Sequence, residues 1–154
     1  MTTPPPLPTC CTDDSFLPLS DKRPMVLVVA GVLIDNENRV LLAQRPKGKS
    51  FEGLWEFPGG KVRDQELPEE ALVRELHEEL GIAIAPGCLF PLTFVSHPYP
   101  SFHLLMPIYG CRVWQGDMRP QENQAIDWVP KEAWKKYAMP PADTRILPFL
   151  IDLI

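Results

Sequence analysis

The sequence has 154 residues, enough for one domain with a single buried core; 45% are hydrophobic and 23% charged, an ordinary globular balance. The formal net charge of −5 provides no overall basic field to attract a nucleic-acid polymer, and no apolar run is long enough to span a membrane as a helix. The four cysteines, Cys10, Cys11, Cys88 and Cys111, match no zinc-site spacing, so a reducing, cytoplasmic setting is expected.

Residues 1–23 are rich in Pro, Thr, Ser and Asp and read as a disordered or loosely docked tail. They lack the basic region and apolar stretch of a secretory signal. A single domain is expected over 24–154. MVLVVAGVLI (Met25 to Ile34) is a continuous apolar, β-branched run, the pattern of a buried strand. Turn residues DNENR follow, then VLLAQR (Val40 to Arg45), and the two runs look like a hairpin. KGKSFEG is a polar loop. LWEFPGGKV is aromatic and broken by Pro-Gly-Gly, so it reads as a strand end or tight loop.

Leu67 to Leu80 has helical periodicity. Pro68 suits the first helical position, Glu69 and Glu70 complement the dipole in the first turn, and Gly81 is a natural stop. CLFPLTFVSH and HLLMPIYGCRVW read as two further strands, and DWVP as a short one ending at proline. KEAWKKY looks like a short helix, and TRILPFLIDLI like a last helix interrupted at Pro148. Strands with one strong central helix and a terminal one predict an α+β fold, a mixed sheet covered on both faces.

The segment from Gly59 to Ile82 carries an unusual charge load: Glu66, Glu69, Glu70, Glu75, Glu78 and Glu79. Glu75 and Glu79 lie one turn apart on one helix face, with Glu78 beside them; Ala71 lies a turn earlier on that face and leaves room. Leu72, Val73, Leu76 and Leu80 make the opposite, apolar stripe. A solvated acidic face is the ordinary reading of such a helix. Here only Arg74 offers a basic partner within it, and the Gly59-Gly60 turn upstream can bring backbone oxygen close to a ligand. Clustered carboxylates with backbone oxygen suit a hard divalent cation, Mg²⁺ or Mn²⁺.

Gly60, Glu66 and Arg74-Glu75-Leu76-x-Glu78-Glu79-x-Gly81-Ile82 fill every position of the Nudix box, and the chain resembles the Nudix hydrolases. That resemblance implies a mixed sheet between helices, with the box as loop–helix–loop. It implies metal-dependent cleavage of a nucleoside diphosphate linked to another group. Glu75, Glu78 and Glu79 would be metal ligands, joined by the Gly59 carbonyl. Glu75 is the first choice to orient or deprotonate the attacking water, although the coupled cluster leaves the base unassigned. Arg74 would hold the glutamates, and Glu66 and Gly60 would be structural.

Within the superfamily the chain resembles the MutT type, which hydrolyses 8-oxo-dGTP to the monophosphate and pyrophosphate. The carriers beyond the box are WEFPGGK, Gln44-Arg45, WQGD followed by Pro-Gln-Glu122, the DWV strand and PPAD. This implies nucleotide-pool sanitation, a small-molecule nucleotide partner, and a monomer or weak dimer. Arg45 would contact the nucleotide, and Glu56, Phe57 and Pro58 would line the base pocket. Glu122 would be a further acid near the metals.

Asp143 falls where MutT reads the base edge with asparagine. An ionised Asp only accepts hydrogen bonds. It can take the N7–H of 8-oxoguanine or the N4 amino group of cytosine, but it cannot pair with guanine O6. 8-oxo-dGTP is the expected substrate, with CTP or a modified cytosine nucleotide as the alternative. Another nucleoside diphosphate derivative is a third reading. A non-catalytic binding module is a fourth, which the intact set of box glutamates opposes.

Overall fold

The computed structural model describes residues 22–154; the expected N-terminal tail, with Cys10 and Cys11, lies outside them but for its last two residues. The first strand, β1 (Met25–Leu33), is central to a four-stranded sheet of order β4-β1-β6-β5. Its partners are β4 (Gly59–Lys61), β6 (Phe102–Cys111) and, beyond β6, β5 (Leu89–Tyr99). β1 runs parallel to β6 and antiparallel to β4, so this sheet is mixed. A second, antiparallel sheet has the order β3-β2-β7, from Trp55–Glu56, Val40–Gln44 and Ile126–Val129.

The apolar run of β1 is continuous because both its faces are covered. Val29 and Leu33 belong to a core cluster with Leu72, Leu76 and Leu80 of helix α1 (Pro68–Leu80). Ala30 and Val32 face a second core with Val40, Leu42, Val129, Ile146 and Leu150. Between them, Gly31 lets the helix approach: a Cβ there would lie 3.2 Å from Leu72 Cδ1.

The expected hairpin of the first two strands is not formed. A single bridge, Ile34 to Val40, is all that joins them in register. Both edges of β1 are occupied, by β4 and β6, so β2 has no edge to pair with and seeds the second sheet. The turn itself is well made. Asp35 Oδ1 accepts the N–H groups of Glu37 and Arg39 at 2.9 and 2.8 Å, and its Oδ2 pairs with the Arg39 guanidinium at 2.7 Å.

Helix α1 has no polar N-cap; instead the Glu70 carboxylate accepts the Leu67 N–H at 3.0 Å. Gly81 ends it with φ 72°, its N–H bonded to His77 O at 2.9 Å. Ala71 corrects the expected face assignment: it is fully buried in the core beside Leu72 rather than spacing the carboxylates. It sits at the margin of the apolar stripe, and its small side chain lets the helix lie close to the sheet. At the C-terminal end, KEAWKK is a 3-10 turn (Lys131–Lys136). The expected last helix, TRILPFLIDLI, is corrected: α2 (Pro141–Thr144) ends at its first residue, and only α3 (Leu147–Leu150) lies inside it, running through Pro148, which as the second helical residue starts the helix rather than interrupting it. No described helix is long and apolar enough to cross a membrane.

Candidate active site

β4 and α1 bring the box residues together around Arg74. Its guanidinium is bidentate on Glu66, Nε to Oε1 at 2.7 Å and a terminal nitrogen to Oε2 at 3.0 Å. The same side chain reaches Glu75 Oε1 at 2.7 Å, Glu78 Oε2 at 3.4 Å and the Lys61 carbonyl at 3.1 Å. The Arg74 hydrogen bonds, with the Arg63 N–H, hold the Glu66 carboxyl down at about 2. Glu66, expected to be structural, accepts the Arg63 N–H as well as the Arg74 guanidinium and so ties the loop before α1 to the helix.

The two glycines explain why the box needs them. A Cβ on Gly60 would collide with the Glu75 carboxylate, which therefore lies directly over the β4 backbone. A Cβ on Gly59 would strike the Val29 carbonyl oxygen, because β4 pairs tightly with β1 there. In both cases the reason is close approach rather than backbone conformation.

Glu79 is the carboxylate under most electrostatic pressure. Burial first, then the charges of Glu75, Glu56 and Glu122, push its carboxyl up to about 8, against a hydrogen bond from the Gly59 backbone. So Glu56 and Glu122, far from the helix in sequence, belong to one negative field with the box. The Glu79 carbonyl also anchors the segment that delivers Glu122: it accepts Gln121 N–H at 2.9 Å and Gln124 Nε2 at 3.1 Å. Glu122 is half exposed and lies 3.8 Å from Lys49 Nζ.

This donor set is chemically suited to a hard cation: several carboxylates that share one arginine, next to backbone oxygen. Among the described residues, no three acidic, histidine or cysteine side chains form a closed cation cage. Arg74 holds Glu75 and Glu78 on its own guanidinium, so ligation would draw on the carboxylate oxygens it leaves unbonded.

A cleft opens beside this cluster. Arg45, Glu56, Phe57, Gly59, Gly60 and Asp143 all line it. Arg45 pairs with Glu56 at 3.1 Å and bonds Ser50 O at 2.8 Å. Burial raises the Glu56 carboxyl, and Arg45 opposes this. Phe57 and Pro58 are buried, and the Pro58 carbonyl accepts Gly31 N–H at 2.8 Å. Asp143, only 7% exposed, accepts the Phe57 N–H on Oδ1 at 3.0 Å. Burial is the main cause that lifts its carboxyl to about 7. The Glu56 charge adds to the lift, while the Phe57 N–H and Arg45 oppose it.

The site residues named from sequence thus fall into two adjoining groups. Arg74, Glu75, Glu78, Glu79, Gly59 and Glu122 surround the acidic field, and Arg45, Glu56, Phe57 and Asp143 line the cleft; Pro58, expected there too, is instead turned to β1, its carbonyl taken by the Gly31 N–H. Sequence reading missed the opposite wall: Tyr99, Phe102, Leu104 and Met106. Leu104 and Met106 alternate along β6, which marked them as facing one way. Which way depends on β6 pairing with β1.

A NUDIX domain matches residues 29–148. The chain belongs to the Nudix family. It is a Nudix hydrolase of the MutT-like kind, with an α+β fold shared by solved Nudix structures. It is 42% identical over 96 residues to an 8-oxo-dGTP diphosphatase of Proteus vulgaris, covering 62% of this chain and 84% of that protein. It is 38% identical over 125 residues to a CTP pyrophosphohydrolase of Escherichia coli K12, covering 80% and 89%. A MutT NUDIX hydrolase from Burkholderia pseudomallei superposes with a TM-score of 0.69 at 28% identity, over 80% of this chain and 96% of that one. Nudix pyrophosphohydrolase chemistry is accordingly the activity of this chain.

Proposed function

We propose that this Nudix hydrolase converts 8-oxo-dGTP and water to the nucleoside monophosphate and pyrophosphate, removing an oxidised nucleotide from the pool. The observation that favours an oxidised over an ordinary guanine is Asp143, held in the cleft by the Phe57 N–H with its carboxyl raised to about 7. The ionised form accepts N7–H, which 8-oxoguanine has and guanine lacks. The protonated form also carries a donor. The Proteus diphosphatase relative supports this reading. The second reading, a cytosine nucleotide, is supported by the CTP-hydrolysing relative and by the same acceptor facing an N4 amino group.

In this reading Glu75, Glu78, Glu79, Glu122 and the Gly59 carbonyl would hold Mg²⁺ or Mn²⁺. When bound, the cation neutralises polyphosphate charge and activates water. The protein residues do the rest. Arg74 fixes the Glu75 carboxylate over Gly60, and Glu75 takes the proton from the attacking water, with Glu78 sharing the Arg74 clamp. Arg45 draws the nucleotide to the mouth of the cleft, which Glu56 and Phe57 line. The test is Mg²⁺-dependent pyrophosphate release, comparing kcat/KM for 8-oxo-dGTP, dGTP, CTP and 5-methyl-dCTP. Preference for 8-oxo-dGTP is expected. Preference for a cytosine nucleotide selects the second reading, and no turnover of any triphosphate overturns both.

A further inference from the structure

Phe51 lies on the loop between β2 and β3, and its backbone φ is 58°. A bulky side chain seldom occupies that left-handed region, and strain of this kind gathers at functional sites. The loop imposes the conformation through its own bonds. Arg45 donates to Ser50 O at 2.8 Å and to Ser50 Oγ at 3.2 Å. Leu54 N–H bonds the Phe51 carbonyl at 3.0 Å, and Gly53 N–H bonds Arg45 O at 3.1 Å. The residue that closes this ring of contacts, Arg45, is the one expected to contact the nucleotide.

The strain aims the phenyl ring at the rim of the cleft. Its centroid is 5.4 Å from the Tyr99 ring, tilted by 52°. Tyr99 is buried and fixed from behind by Phe102 at 5.1 Å and His97 at 4.6 Å. Its hydroxyl accepts the N–H of Ala142, the neighbour of Asp143, at 3.4 Å. Phe51 itself remains 39% exposed. Rings this close leave no gap for a third ring between them. A planar ligand that stacks on Phe51 therefore lies on its other, open face, with Tyr99 behind the ring.

We propose that Phe51 is a base-stacking residue, its open face covering the nucleobase while the Asp143 end of the cleft takes the base edge. The proposal rests on the nucleotide reading above and adds the residue that grips the base without reading it. Every base has a π face, so this contact strengthens binding of oxidised purine and cytosine nucleotides alike, by roughly 5- to 100-fold. Selectivity stays with the edge-reading residues.

The test uses Phe51→Gly, Phe51→Leu and Phe51→Trp in the full chain, measuring KM and kcat for 8-oxo-dGTP and CTP. Equilibrium binding of the two monophosphates and of inorganic pyrophosphate is measured alongside. Glycine adopts φ near 58° freely, so Phe51→Gly is expected to keep or raise the Tm. It is also expected to raise KM and weaken monophosphate binding about tenfold, with KM changing more than kcat. Pyrophosphate affinity should be unchanged. Phe51→Trp should restore binding, and Phe51→Leu should fall between. The proposal is overturned if Phe51→Gly binds monophosphates within twofold of wild type, or if pyrophosphate binding weakens in parallel. The latter would mean that the loop had merely loosened around Arg45. If wild type hydrolyses triphosphates and Phe51→Gly is unaffected, only this role falls. If wild type hydrolyses none, the functional reading falls with it.

Discussion

Replacing Asp143 by asparagine keeps the shape and the acceptor for the Phe57 N–H, but removes a carboxyl that must ionise in a buried site. The carboxyl is lifted from 3.8 to about 7. A raised folded-state value means the native protein holds the proton more tightly than the unfolded chain does. The resulting stability is full below about pH 4 and is lost as pH rises to about 7. Three units at about 1.4 kcal/mol each set an upper bound near 4 kcal/mol for the penalty at neutral pH and above. Allowing for relaxation and solvent around the ionised group, roughly 2 kcal/mol is expected to be recovered by Asp143→Asn, or about 4–8 °C in Tm. The assay is a series of thermal melts of both proteins from pH 4.5 to 8.5. The gain should be small at the acid end, grow up to about pH 7, and then stay level. Glu79 and Glu56 titrate in both proteins and largely cancel in the difference. A gain that does not vary with pH, or an asparagine variant less stable at pH 8, would refute the buried-charge argument.

Other consequences concern the acidic field. Asp143→Asn should also shift kcat/KM toward bases with an acceptor at position 6, because an amide offers a donor at every pH; a triphosphate panel measures this. Gly60→Ala should lower kcat/KM by about 100-fold with the fold retained, since the new methyl displaces the Glu75 carboxylate. Gly59→Ala, by contrast, meets rigid β1 backbone and should destabilise by about 1–3 kcal/mol in denaturant titration. Glu75→Gln should reduce kcat by about 10²–10⁴-fold with an unchanged circular dichroism spectrum, and unchanged activity would remove Glu75 from the proposed role. Arg74→Lys loses the planar fork that serves Glu66, Glu75 and Glu78 together. Its kcat should fall even at saturating substrate.

The glutamate spacing was legible because a helix has one period: Glu75, Glu78 and Glu79 share a face whatever the rest of the chain does. The same local logic placed Pro68 at the start of α1 and Gly81 at its end, and the family signature located the reaction. The hairpin and the position of Ala71 were misread for one reason. Each depends on what lies against the strand or the helix, and neighbours in sequence do not reveal it. β1 is completed by strands about 30 and 78 residues away, which leaves β2 to a second sheet.

By itself, then, the sequence determined the family and its chemistry, since the box glutamates and the arginine that binds Glu75 and Glu78 sit within one short helix. Only the tertiary structure decided the cleft that is proposed to take the base. Long-range pairing joins Glu56 and Glu122 to the field of Glu79, sets Asp143 against the Phe57 N–H, and folds Phe51 onto Tyr99. Those contacts span dozens of residues, and burial, which lifts Asp143 toward neutrality, is a property of the packed molecule and of no segment within it.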